Sequence, residues 1–78
     1  MNKNLIKIIQ KATLNIDGQV RANCSTYFPG FITSRKTYTL SDVAVSLDEN
    51  GFLKDAYLCL EKDELGNPAA VPIEYFEV

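Results

Sequence analysis

The chain has no histidine and no tryptophan, and only two cysteines among its 78 residues. Without histidine it lacks the side chain that most often acts as a general base near neutral pH and most often ligates a metal. Cys24 and Cys59 lie far apart with no Cys-x-x-Cys spacing, which argues against a zinc site. A nucleophilic cysteine would need a neighbouring base, and only carboxylates or lysines are available. Gly18, Gly30, Gly51 and Gly66 are scattered singly, so no glycine-rich loop exists to cradle a phosphate. No apolar run approaches the ~20 residues needed to span a bilayer. These absences predict a chain that is not an enzyme, with no cofactor, no metal and no membrane span.

The first ten residues carry Leu5, Ile6, Ile8 and Ile9, but Lys7 interrupts the apolar patch and no small-residue cleavage site follows. They do not read as a signal peptide. Cys24 and Cys59 are then expected as small buried hydrophobes rather than as a disulfide, and the cytoplasm as the compartment.

What is present fits one small globular domain over residues 1–78. Apolar residues make up 46% and charged residues 23%, which argues against disorder. A chain this short buries only about 60% of its unfolded surface, so each core residue matters. The net charge of -2 hides an uneven distribution. Through Thr39 the charges are Lys3, Lys7, Lys11, Arg21, Arg35 and Lys36 against Asp17 alone. From Leu40 onward nine acids face only Lys54 and Lys62. Such asymmetry marks either a charged partner or two interleaved halves that neutralise each other, and the second reading is the expectation.

Leu5, Ile8, Ile9 and Ala12 recur at the spacing of one helical face and predict a short amphipathic helix over residues 3–12. Leu14, Ile16, Val20, Ala22 and Cys24 share one parity on both sides of Asp17-Gly18. They predict a hairpin with a three-residue loop, Gly18 taking the positive φ of a bulge. Residues 25–36 read as a loop whose aromatics, Tyr27, Phe28 and Phe31, are too many to be left wholly in solvent.

Residues 37–47 are ambiguous. Tyr38 and Leu40 alternate on one parity and Val43, Val45 and Leu47 on the other, so a strand needs a bulge near Ser41-Asp42. The alternative is a helix capped by Ser41. The β-branched and aromatic residues favour the strand. Asp48-Glu49-Asn50-Gly51 then reads as a turn, residues 56–61 as a strand, residues 62–68 as a second turn and residues 69–72 as a short strand. Pro72 must end that strand or lie at an edge. Regularly spaced short strands suggest a closed or nearly closed small barrel.

The ending Val71-Pro72-Ile73-Glu74-Tyr75-Phe76-Glu77-Val78 resembles the tail of SH3-like barrels, in which a strand ends at a proline, a 3₁₀ turn carries a tyrosine three residues later, and a last strand opens on an apolar residue. Residues 33–40 look like the turn that leads into a long strand of these barrels. With Tyr57-Leu58-Cys59-Leu60 and the Gly66-Asn67 turn, the similarity covers about residues 19–78. It is a likeness of pattern to small SH3-like proteins common in phages and prophages. It implies a mainly β fold, a small SH3-like barrel of about five strands over residues 13–78 behind a short N-terminal α-helix. In peptide-binding SH3 domains that proline and tyrosine line a groove for proline-rich ligands. Only Pro72 and Tyr75 match here, and the paired tryptophan and the Ala-Leu-Tyr-Asp-Tyr strand are missing. The acids that flank such a groove are replaced by a basic stretch, so polyproline recognition is not carried over.

The candidate surface is aromatic. Tyr27, Phe28, Phe31, Tyr57 and Tyr75 are expected to gather with Pro72 where the loop crosses the barrel mouth, since tyrosine is enriched at binding hot spots. Alternatively, Phe28, Phe31 and Tyr57 plug the barrel ends or pack under the N-terminal helix, and for the two phenylalanines core packing is the favoured expectation. Asp48-Glu49 and Asp63-Glu64 lack the ligand spacing of an EF-hand and read as solvated turn residues. The leading expectation is a protein-binding accessory module of a phage or mobile element, contacting its partner through Tyr27, Tyr57, Pro72 and Tyr75 with Arg35 and Lys36 on the rim. A second is an inhibitor that occludes a host nucleic-acid enzyme with an acidic surface. A third is a nucleic-acid-binding small barrel using the basic residues. The acidic isoelectric point near 4.9 weighs against that one, because phosphate contacts dominate such affinity. A hydrolase or transferase working with carboxylates comes last.

Overall fold

The computed structural model describes residues 3–78. Its first element is α1 (Lys3–Thr13), one residue longer than its periodicity predicts. Leu5, Ile9 and Ala12 turn inward, Ala12 completely, while Ile8, expected on the same face, stays 38% exposed and Lys7, Gln10 and Lys11 face solvent. Lys11 in the last turn complements the negative end of the helix dipole.

The segment that follows is not the expected hairpin. The N–H groups of Leu14, Asn15 and Ile16 donate to the carbonyls of Gln10, Ala12 and Thr13, so the chain keeps turning off the helix end. Those bonds satisfy carbonyls that a helix terminus leaves without partners. Asp17, not Gly18, takes the left-handed backbone, at φ 74°. Aspartate visits that region more readily than most residues because its short side chain hydrogen-bonds locally. Ile16 still points into the core, which is why the apolar parity looked like a strand, whereas Leu14 is left 91% exposed.

The remaining elements are β1 (Gln19–Ala22), β2 (Thr37–Leu47), β3 (Leu53–Leu60), β4 (Ala69–Pro72), a 3₁₀ turn (Ile73–Tyr75) and β5 (Phe76–Glu77). The five strands form one antiparallel sheet in the order β4-β3-β2-β1-β5. Residues 37–47 are thus a strand and not the competing helix. The register with β3 shifts between Leu40 and Asp42, where the change of apolar parity requires a bulge. Tyr38 and Leu40 face inward before it and Val43 after it, so one strand keeps its apolar side to the core despite its change of phase.

The closed or nearly closed barrel expected from the sequence is an open sheet. β4 and β5 are its two edges, and the described residues carry no ladder between them. Pro72 has no N–H with which to extend β4, and the 3₁₀ turn carries the chain away at that point. One core nevertheless draws on all five strands, through Val20, Leu40, Leu58, Leu60, Val71 and Phe76, with Ile32 from the long loop. The two cysteines are free and half-buried rather than fully buried.

Leu58 is completely buried on β3, between β2 and β4. Leu58→Ala is expected to lower unfolding stability by about 2–5 kcal/mol. Leu14→Ala, at the residue the hairpin reading would have put in a strand, is expected to change it by less than about 0.5 kcal/mol. Urea midpoints of the two variants check both values.

Candidate functional site

Fourteen positions, residues 23–36, join β1 to β2 without a regular element, yet the segment is tied down along its length. Thr26 and Ile32 exchange backbone hydrogen bonds at 3.0 and 3.1 Å, and Thr26 Oγ1 donates to the Gly30 carbonyl at 2.8 Å. The Phe28-Pro29 peptide bond is cis. Gly30 is buried against β4: a Cβ there would lie 2.7 Å from Ala69 Cβ and 2.9 Å from Val71 Cγ2, closer than carbon atoms approach. At the base of the loop, Arg35 adopts φ 70° and donates its N–H to the Ala22 carbonyl, while Ala22 donates to the Lys36 carbonyl.

The loop is also clamped from the β3–β4 connection. Asp63 Oδ1 accepts the N–H groups of Leu65 and Asn67, and Oδ2 accepts the N–H of Phe31 at 3.2 Å. The Glu64 N–H donates to the Phe31 carbonyl at 2.8 Å. Tyr38, whose ring is buried, donates its hydroxyl to Glu64 Oε1 at 2.6 Å and accepts the Thr33 N–H at 2.8 Å. Lys36 Nζ lies 3.5 Å from the same carboxylate. Burial and the Glu64 bond push the Tyr38 hydroxyl above its ordinary range. The Tyr38 bond, chiefly, holds Glu64 below the usual carboxylate range, with Lys36 adding to it. For Asp63 partial burial acts upward, but the N–H groups of Asn67, Phe31, Leu65 and Gly66 together hold it low. The two acids are therefore structural clamps, not the solvated turn residues expected. The Asp-x-x-Gly turn was legible as local chemistry, but nothing in the sequence announces a bond from Asp63 to Phe31.

That rigid frame displays aromatic side chains. Tyr27 is 83% and Phe28 86% exposed, and the Tyr27 and Phe31 rings meet edge to face with centroids 4.9 Å apart. Phe28 thus does not plug the core; Ile32 does. Leu65, also exposed, follows the two clamping acids.

The six candidate contact residues fall into groups. Tyr57 and Pro72 are register partners across β3 and β4, on the sheet face opposite the buried Leu58 and Val71. Tyr75 ends the 3₁₀ turn and packs partly against the core, its carbonyl accepting the Asn23 N–H at 2.9 Å. Arg35 and Lys36 are exposed at the loop base, and Tyr27 is at the loop tip against Phe31. A groove of about 360 Å³ between α1 and the C-terminal residues, lined by Leu5, Ile8, Ile73 and Phe76 among others, involves none of the six.

Neither do the two charge halves neutralise each other as expected. Among the described residues the one ion pair is Lys36–Glu64. Other acids turn to local backbone donors instead: Asp42 accepts the Val43 N–H, and Asp48 those of Asn50 and Phe52. Burial, aided by Asp42, raises the Cys59 thiol, which lowers its thiolate fraction and its reactivity. Among the described residues no group of three or more acids and cysteines could hold a metal ion, and no helix is long and apolar enough to cross a membrane. No protein-family model, no curated protein and no solved structure matches this chain.

Both clamping carboxyls titrate lower in the folded chain than in the unfolded one. Their stabilisation is complete above the unfolded value and is lost as pH falls through the folded value. The urea midpoint is therefore expected to fall from about pH 5 downward. Asp63→Asn/Glu64→Gln should be less stable than wild type at neutral pH, and the gap should close in acid. Urea titrations across pH measure it. A gap that persists below about pH 2 would contradict the assignment.

Proposed function

We propose that the chain is a non-catalytic protein-binding module of SH3-like arrangement, encoded by a phage or other mobile element, that contacts its partner with the loop between β1 and β2. One observation carries this: Tyr27 and Phe28 stand more than four-fifths exposed on a loop whose backbone is fixed by a strand bridge, by Gly30 and by Asp63. Exposed aromatic rings supply large contact area for few rotatable bonds. A loop ordered before binding also loses little further entropy when the partner arrives.

The SH3-like arrangement is supported by the chain's ending, where Pro72 closes β4, Tyr75 ends a 3₁₀ turn and Phe76 opens β5. The turn through Arg35 into the long β2 agrees with it. The contact surface in this reading is Tyr27 with Phe28, with Arg35 and Lys36 at the loop base, while Tyr57 and Pro72 form a separate pair on the other face of the sheet and Tyr75 packs partly against the core. A second reading, occlusion of a host nucleic-acid enzyme, is favoured by the acids that have no ion-pair partner among the described residues. Asp63 and Glu64 are half-buried and clamp the loop, so they serve it less well than the exposed acids. Its acids are Asp42, Asp48, Glu49 and Asp55.

Affinity capture from the native host with wild type and with Tyr27→Ser/Phe28→Ser tests the first reading. The double variant is expected to keep its melting temperature, because both side chains are exposed, and to lose at least about tenfold in partner recovered. Equal recovery of every partner by both proteins would refute the loop as the contact surface. Loss of capture on reversing Asp48 and Glu49 instead would favour the second.

A further inference from the structure

β2 and β3 run on beyond the sheet that holds the core. β1 pairs with β2 only at residues 37–39, and β4 pairs with β3 only at residues 57–60. Among the described residues the outer edge of β2 is therefore unpaired from residue 41 onward, and residues 45–47 with 53–56 form a two-stranded arm with no strand on either edge, in a molecule whose extents are 36 × 23 × 18 Å. An isolated two-stranded hairpin is marginally stable in water, and an unpaired edge is a template for another strand.

The two faces of the arm differ. Register sets Val43 opposite Leu58 and Val45 opposite Ala56 on the side that continues the core, with Leu47 of the same β2 parity opposite Leu53 beyond a second register shift after Ser46. Leu58 and Ala56 are buried, but Val45 is 50% and Leu47 59% exposed, so the apolar stripe outruns its cover. The opposite side presents Asp42 and Asp55, with Ala44, Ser46 and Tyr57 between them, and the turn adds Asp48 and Glu49, with Lys54 the one base of residues 41–56. An added strand would meet aliphatic side chains on one face and carboxylates on the other.

The geometry points to β-strand addition: the free edge of β2, over residues 42–47, takes an extended segment of a partner protein in which aliphatic and basic residues alternate. The aliphatic side chains extend the Val43–Val45–Leu47 stripe, and the Lys or Arg side chains lie over Asp42 and Asp55. Alternation is what a strand reads, since successive side chains point to opposite faces. A segment pairing with β3 instead would run into the 3₁₀ turn that follows Pro72. A second copy of this chain fits less well, because antiparallel self-pairing about Val45 sets Asp42 beside Asp48 of the other copy, and facing like charges destabilise a sheet. This surface is separate from the Tyr27–Phe28 loop, and either can fail without the other.

Three short synthetic peptides test it against the isotope-labelled full chain: alternating valine and lysine, alternating valine and glutamate, and the first composition with its valines in one block. Only the alternating valine–lysine peptide is expected to slow amide exchange at residues 42–47. Asp42→Lys/Asp55→Lys is expected to weaken it about tenfold or more. Tyr27→Ser/Phe28→Ser should leave it unchanged. Asp42 also accepts the Val43 N–H, so Asp55→Lys alone serves should the double variant unfold. Equal binding of the valine–glutamate or blocked peptide, protection confined to residues 53–56, or no protection at the peptide's solubility limit would overturn the proposal. So would a dimer seen by sedimentation velocity in which the arm is already protected without peptide.

Discussion

β2 belongs to two ladders at once, and the rest of the molecule depends on how it divides itself between them. Its first three residues are held by β1 and its later ones by β3, with the bulge between Leu40 and Asp42 at the change-over. A strand normally alternates its faces without exception, so a single extra residue reverses every side chain beyond it. Here that reversal keeps Leu40 and Val43 on the same side and lets both segments of β2 contribute to one core. The change-over also leaves the outer half of the hairpin without neighbours, which is where the apolar and acidic faces of the arm become available.

The loop between β1 and β2 shows how a small chain can hold irregular backbone in one shape. Fixing each residue costs about 1–2 kcal/mol of conformational entropy, and a stretch without a ladder has few bonds to offset it. The chain answers with contacts from elsewhere: Asp63 and Glu64 from the β3–β4 connection, Tyr38 from β2, and the surface of β4 beneath Gly30. The aromatic side chains are then free of any duty in the core. Tyr27 and Phe28 point away from a backbone that is already ordered, the condition under which exposed rings make efficient contacts.

Much of the architecture was legible in the residues. The helical spacing of Leu5, Ile9 and Ala12, the phase change at Ser41-Asp42, the Asp48–Gly51 turn and the Pro72–Tyr75 turn are each local patterns, and each appears in the structure. The stretch around Asp17 was not legible, because Ile16 points inward from a helix-terminal turn with the same parity a strand would give it. Openness of the sheet was not legible either, since closure depends on whether β4 and β5 come within reach of each other. Among the site residues, Tyr57 and Pro72 do come together as cross-strand partners, while Tyr27 keeps company with Phe31. Phe28, for which the sequence favours core packing, is instead the most exposed aromatic of the loop, because Ile32 fills the core at that point.

The amino-acid order by itself determined most of the elements: outside the stretch around Asp17, periodicity chose helix or strand, and Pro72, Gly51 and Gly66 marked the turns. Those are properties of neighbours along the chain, where bond rotations and side-chain spacing act directly. Only the tertiary structure decided that Asp63 would clamp a loop residue thirty-two positions away, that the sheet would stay open, and that among the described residues the charge halves would meet in a single ion pair. Each of those rests on distances between residues remote in sequence, and such distances exist only once the core has brought the strands together.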